Sequence, residues 1–364
     1  MYQGLPVSQH NLSHSPLVVF YEVTQACDLV CRHCRANARP WRHPEELTTE
    51  QACALLDDLA RFPSPPLVVL TGGDPLKRPD LFQIISHGVQ RGLAVAITPS
   101  ATPLLTRQVV RHFARLGVHR LAVSLDGADA ATHDAFRGWL GSFDRTLAVM
   151  GWAREAGLPL QVNTTVVKDN LLQLDRMAEL LSQEQIVLWS VFFLVPTGRG
   201  EGLGGLSAQE CELAFEKLYL ASQLYGYAVK TTEAPHYRRW VLQRRKRLGA
   251  KDHPEVNPWQ LLPTNDGRGT LFVSHTGRIY PSGFLPVECG RFPQQSVVQV
   301  YQRHPTFLLL RDTDRLEGKC GACEYRTICG GSRARAYAAT GNLMAEEPCC
   351  NYVPLRARRR HADS

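Results

Sequence analysis

Three cysteines, Cys27, Cys31 and Cys34, follow a short apolar run, Leu17–Val23, in the spacing Cys-x3-Cys-x2-Cys. Thiolates are the usual ligands of iron–sulfur clusters, and a cubane [4Fe-4S] cluster takes one for each of its four irons. Three thiolates therefore leave one iron open to a substrate or cofactor. The competing readings are a structural zinc site and buried free thiols. Zinc sites usually come as four ligands in paired Cys-x2-4-Cys units, so a lone triplet fits zinc poorly. A second group closes the chain: Cys320, Cys323 and Cys329, then the adjacent pair Cys349 and Cys350 after Pro348. Three close thiolates plus a distant fourth make a complete set for a closed cluster, and they suit zinc equally well. Cys53, Cys211 and Cys289 stand alone and read as core or surface thiols.

The elements that must position these residues follow from the hydrophobic pattern. Short β-branched runs at Leu17–Val23, Leu67–Thr71, Leu93–Thr98, His119–Leu125, Leu158–Val166 and Ile186–Phe193 alternate with longer amphipathic stretches. Helix starts are expected at Thr48–Thr49, after Pro79, at Pro103 and at Ser142. Strands alternating with helices imply βαβ units and a parallel sheet. Periodicity alone does not separate an open doubly wound sheet from a partial barrel. The polar motifs help and favour the barrel: the cysteine loop, Thr71-Gly72-Gly73-Asp74-Pro75, Thr98-Pro99-Ser100, Ser124-Leu125-Asp126-Gly127, Asn163-Thr164-Thr165 and Pro196-Thr197-Gly198-Arg199 all fall at or near C-terminal strand ends. In a barrel those ends converge on one mouth, whereas an open sheet would gather them at a single crevice.

The cysteine triplet after the first strand, followed one βα unit later by Gly72-Gly73-Asp74, resembles the signature of the radical S-adenosylmethionine (SAM) enzymes. The resemblance implies an α/β fold: a partial (β/α)6 TIM-like barrel whose cluster, held by Cys27, Cys31 and Cys34, binds SAM at its open iron. It implies reductive cleavage of SAM to a 5′-deoxyadenosyl radical that abstracts hydrogen from a substrate, with electrons from a small reductase such as flavodoxin or ferredoxin. The family motif is Gly-Gly-Glu, and Asp74 shortens it by one methylene. The glycines can bring backbone close to a ligand and adopt positive φ. Expected SAM contacts also include Ser124 and Asp126 toward the ribose, Asn163 as an amide within an otherwise apolar strand, Arg199 toward a carboxylate, and His33 packing near the adenine. Simpler readings of these residues are turn caps, backbone partners and surface charge.

The C-terminal cysteines, together with Cys329-Gly330-Gly331-Ser332-Arg333-Ala334-Arg335-Ala336-Tyr337, resemble the SPASM or twitch extension of radical SAM enzymes, which binds auxiliary [4Fe-4S] clusters. Ser282 and Ser332 stand where related sequences carry cysteine, so one auxiliary cluster is expected, held by Cys320, Cys323, Cys329 and Cys350, with Cys349 the alternative to Cys350. Two clusters per chain follow. The nearest resemblance is to enzymes of alternative haem and haem d1 synthesis, and next to peptide-modifying SPASM enzymes. The substrate is thus expected to be a tetrapyrrole-like or other carboxylated small molecule, or else a ribosomally made peptide. Only about sixteen residues precede the first strand, fewer than an N-terminal leader-binding domain requires. A reading from another class is a non-catalytic metal-binding or electron-carrying protein. It leaves the Gly-Gly-Asp segment without a purpose.

Bulk properties agree. A chain of 364 residues buries a large core, and 44% hydrophobic with 21% charged residues is ordinary for a globular protein. No run reaches the ~18 apolar residues of a membrane span, and Met1–Pro16 lacks a signal pattern. Eleven cysteines, an odd and clustered set, argue for a reduced, cytoplasmic, metal-loaded protein. The net charge of +7 is local, in His236–Arg247 and the tail Asn351–Ser364; both read as solvated faces, or as attraction for an anionic partner. No aromatic interleaving suggests nucleic acid. The expected layout is an N-terminal extension 1–16, the barrel 17–230, a basic helical linker 231–268, the auxiliary-cluster domain 269–354 and a basic tail 355–364.

Overall fold

The computed structural model describes residues 11–249 and 262–355; the basic tail beyond Leu355 and part of the 231–268 linker lie outside them. Six parallel strands fall where the apolar runs place them: β1 Val18–Thr24, β2 Leu67–Gly72, β3 Ala94–Ile97, β4 Arg120–Ser124, β5 Leu160–Val166 and β6 Leu188–Phe193. Each hydrogen-bonds its successor in parallel register. Four more were not foreseen: β7 Ala228–Thr232, β8 Thr270–Val273, β9 Arg278–Tyr280 and β10 Gly290–Arg291. β7 continues the barrel beyond β6. β8 pairs in parallel with β1, so the segment after residue 269 shares the barrel's own sheet. The order is β10-β9-β8-β1-β2-β3-β4-β5-β6-β7, an open sheet that makes a partial rather than a closed barrel.

Strand alternation divides inside from outside. Val19, Tyr21, Val23, Leu121, Val123, Val162, Trp189, Val191 and Val229 enter the main core between sheet and helices, so the intervening residues face the barrel interior. Leu17, Val18, Leu67, Ala96 and Leu262 form a separate apolar plug, backed by Phe20 and Val69. This plug closes the barrel floor.

Helix starts differ from the expectation in instructive ways. Thr48 caps Thr49–Leu59 with a full capping box to Gln51. Pro103 lies in a turn, and Thr106 caps the helix Arg107–Arg115 instead. Ser142 is the first helical residue of Ser142–Glu155, behind Gly141. A further helix, Ala130–Arg137, starts at Asp129 and ends on left-handed Gly138. The basic segment is the helix His236–Leu248, exposed at Lys246 and Arg247 but packed against protein nearer its start. Arg239 is 3% exposed, and Arg238 donates to the carbonyls of Ile328 and Thr264. No helix among the described residues is long and apolar enough to cross a membrane.

Candidate active site at the barrel mouth

The cysteine loop is closed at its base, where Cys27 N–H donates to Arg39 O at 2.7 Å and Arg39 N–H to Gln25 O at 3.3 Å. Inside it, Cys27, Leu29 and Cys31 pack as a small buried cluster with Cys34, Ala38 and Trp139 at its margin. Cys27 Sγ accepts the Leu29 N–H at 3.4 Å and lies 3.7 Å from Ser100 Oγ. Burial pushes the Cys27 thiol up to about 11 and also raises that of Cys31. Binding a metal there would have to displace protons.

Gly72 and Gly73 pack closely against the backbone that enters the cysteine loop. Neither has a positive φ. A Cβ on Gly72 would lie 2.3 Å from Thr24 O, and one on Gly73 would lie 2.4 Å from Ala26 O. The glycines let the end of β2 press against the entry to the cysteine loop. Asp74, also expected to face SAM, is fully buried. It accepts from Thr102 Oγ1 at 2.9 Å, Leu76 N–H at 3.1 Å and Ser100 N–H at 3.4 Å. Burial pushes its carboxyl up to about 6 despite these bonds. It ties the β2 and β3 ends together.

Asp126 is likewise spent internally, on Arg137 at 3.3 Å and the Thr165 N–H at 2.7 Å. Half-exposed Ser124 faces inward from the end of β4. Asn163 is half-exposed rather than buried; its Oδ1 accepts from Gln161 at 2.7 Å on the inner face of β5. Arg199 clasps the cysteine loop through Cys31 O at 2.9 Å and Ala38 O at 3.2 Å, while its Nη2 stays buried without a partner. His33 stacks on Phe136, centroids 4.6 Å apart. Burial, with Arg137 and Arg199, lowers its pKa well below the usual value, so the ring is neutral. Its Nδ1 is buried and unpartnered.

Sequence reasoning missed Arg137. It is 8% exposed, close enough to feel Cys31, Cys27 and Cys34 electrostatically, and fixed by Asp126. Its signal was the run His133-Asp134-Ala135-Phe136-Arg137-Gly138, in which His133 accepts the Asp126 N–H at 3.0 Å and Asp134 accepts those of Gly141 and Phe143.

At the second group, Cys320, Cys323, Cys329 and Cys350 line one small cleft, with His236, Arg239, Lys319 and Glu347. Each accepts a backbone N–H: Cys320 from Glu347 at 3.3 Å, Cys323 from Tyr325 and Cys329 from Gly331 at 3.4 Å, and Cys350 from Tyr352. Burial pushes Cys323 to about 11 and Cys329 to about 12. Cys349 turns away, donating to Leu206 O at 3.4 Å and facing Cys211; Cys211 therefore does not stand alone. Ser332 caps the helix Arg333–Thr340 and donates to Glu233 at 2.5 Å. Among the described residues, no three His, Cys, Asp or Glu side chains draw together tightly enough to enclose a single ion.

A partial barrel with three buried or half-buried thiols beside its mouth suits a cluster-bound cofactor. Residues 21–181 match the Radical SAM superfamily. The chain is 40% identical over 345 residues to the AdoMet-dependent heme synthase of Methanosarcina barkeri, covering 94% of this chain and 98% of that one. It is 38% identical over 343 residues to the AdoMet-dependent heme synthase of Nitratidesulfovibrio vulgaris, covering 93% of each. Streptococcus suis SuiB bound to S-adenosylmethionine superposes with a TM-score of 0.73 at 15% identity, over 93% of this chain and 78% of that one. That likeness concerns the fold. The chain belongs to the radical SAM superfamily, whose cofactors are a [4Fe-4S] cluster and SAM.

Proposed function

We propose that this radical SAM enzyme acts on a carboxylate-bearing tetrapyrrole. The carrying observation is the end-to-end match to heme synthases. Within that reading Cys27, Cys31 and Cys34 hold the SAM-binding cluster, and Cys320, Cys323, Cys329 and Cys350 hold a second one. The residues suit such groups. The donors are all thiols, and the N–H bonds to the sulfurs of Cys27, Cys320, Cys323 and Cys329 are a recognised way of tuning such clusters. The orphaned polar atoms on Arg199 and His33 border the SAM side.

When bound, the cluster and SAM supply a 5′-deoxyadenosyl radical for hydrogen abstraction. The chain's own residues do the rest. Arg199 and the Gln25–Arg39 bridge hold the loop shut, Gly72 and Gly73 seat it on β2, and Arg137 offsets negative charge beside the thiolates. Ser124 and Asn163 offer polar contacts on the inner wall. The apolar floor at Val18, Leu67 and Ala96 excludes water from a site that must protect a reactive species. A small flavodoxin- or ferredoxin-like reductase in a reduced cytoplasm would supply electrons.

The test is anaerobic incubation of the reduced, reconstituted enzyme with SAM and an iron porphyrin carrying propionates. Substrate-dependent 5′-deoxyadenosine is expected, and its absence would refute the substrate assignment. Cys27→Ala, Cys31→Ala and Cys34→Ala together should abolish SAM cleavage.

A further inference from the structure

The barrel's inner face is divided around its circumference. β1 and β2 turn half-buried Phe20 and Val69 inward, on the mouth side of the buried plug of Val18, Leu67 and Ala96, an apolar arc. Across β4 to β7 one register row of the inner face is polar instead. Ser124 pairs in register with Asn163, Asn163 with Ser190, and Ser190 with Lys230. Val229 beside it enters the outer core, which leaves Lys230 facing the hollow.

Lys230 brings an uncompensated charge there. Among the described residues no hydrogen bond or ion pair engages its ammonium. Among the described residues, acids facing inward are already engaged: Glu22 by Arg35 at 3.2 Å and His275 at 2.5 Å, Asp126 by Arg137, and Glu233 by Ser332. The nearby cations add to the positive field. Arg120, on the same face of β4, gives a hydrogen bond to Gln161 at 3.3 Å, and Arg238 is bound to carbonyls. Lys230 keeps an exposed surface, yet it is closely surrounded by protein. That crowding, with Arg120 and Arg238, lowers its pKa to about 8. An ammonium so placed gains most from an incoming anion, because partial desolvation strengthens the attraction.

We infer that Lys230 anchors a carboxylate of the substrate, with the flat ring of that substrate against the apolar arc of β1 and β2. This rests on the tetrapyrrole reading and narrows it to one residue and one orientation. A carboxylate fixed on β7 leaves the opposite edge of the ring toward the cysteine loop at the mouth.

The experiment is a Soret absorbance titration of the reconstituted enzyme, with SAM present, using two probes: an iron porphyrin bearing free propionates and its propionate methyl ester. Lys230→Met and Lys230→Gln should each weaken binding of the free acid by about tenfold or more and barely change that of the ester. Lys230→Arg should restore most of the affinity. Iron content and thermal midpoint of each variant separate lost binding from lost folding. If wild type binds the free acid and both neutral variants bind it equally well, the Lys230 assignment fails while the substrate reading stands. If wild type binds neither probe, both fall together.

Discussion

Replacing Arg335 by Met tests how the cysteine-bearing C-terminal segment is fixed to the barrel. Arg335 is 5% exposed and Glu347 fully buried. The guanidinium donates to both Glu347 oxygens at 3.0 and 3.1 Å and to the carbonyls of Phe193 and Glu233 at 3.2 and 2.7 Å. Glu347 also accepts the Ser332 and Cys349 N–H groups, and its own N–H reaches Cys320 Sγ. Burial opposes ionisation of Glu347, but Arg335, then His236 and the Cys349 N–H, outweigh it and bring the carboxyl from 4.5 down to about 2. That displacement corresponds to roughly 3 kcal/mol, close to the ~3–5 kcal/mol cost of stranding one partner of a buried ion pair. Because the folded pKa is depressed, this stability is present above about pH 4.5 and is lost as the pH falls toward 2. Urea unfolding followed by circular dichroism should therefore show Arg335→Met weaker by about 3 kcal/mol at pH 7, with the deficit shrinking in acid. Adding Glu347→Gln, which removes the stranded charge, should recover part of the loss. A deficit under about 1 kcal/mol at pH 7, or no recovery in the double variant, would refute the electrostatic argument.

Gly73→Ala forces a methyl onto backbone carbonyls 2.4 to 2.6 Å away, so a loss of more than about 2 kcal/mol is expected; an unchanged thermal midpoint would contradict the packing role. Asp74 has a folded pKa near 6, above its ordinary 3.8, so its ionisation costs stability as pH rises between these values. Asp74→Asn should flatten that pH dependence, measurable in urea melts at pH 4 and 7. Cys350→Ala should halve bound iron from about eight per chain, whereas Cys349→Ala should leave it unchanged; the reverse pattern would exchange their roles. Arg137→Met removes a cation from beside Cys31, so the reduction potential of the barrel-mouth cluster should fall, as read by redox titration. An unchanged potential would place Arg137 outside its field.

The division between what was legible and what was not runs along contact distance. Cysteine spacing and the six apolar runs are local, and period-two alternation marks strands whatever they later touch, so β1 to β6 and the cysteine loop could be read directly. β7 reads Ala-Val-Lys-Thr-Thr, half polar because one face lines the hollow, and so lacks the apolar signature of a buried strand. β8 could not be placed because its partner β1 lies some 250 residues earlier. The chemistry of Asp74, Asp126 and Arg199 was visible from residue type, but whether each faces a ligand depends on who else can bond to it. Packing answered by engaging Asp74 and Asp126 internally and most of Arg199 with the cysteine loop. Cys349 and Cys350 are neighbours in the chain and chemically identical. Consecutive side chains leave the backbone in different directions, so only the fold sends Cys350 to the cleft and Cys349 to Cys211.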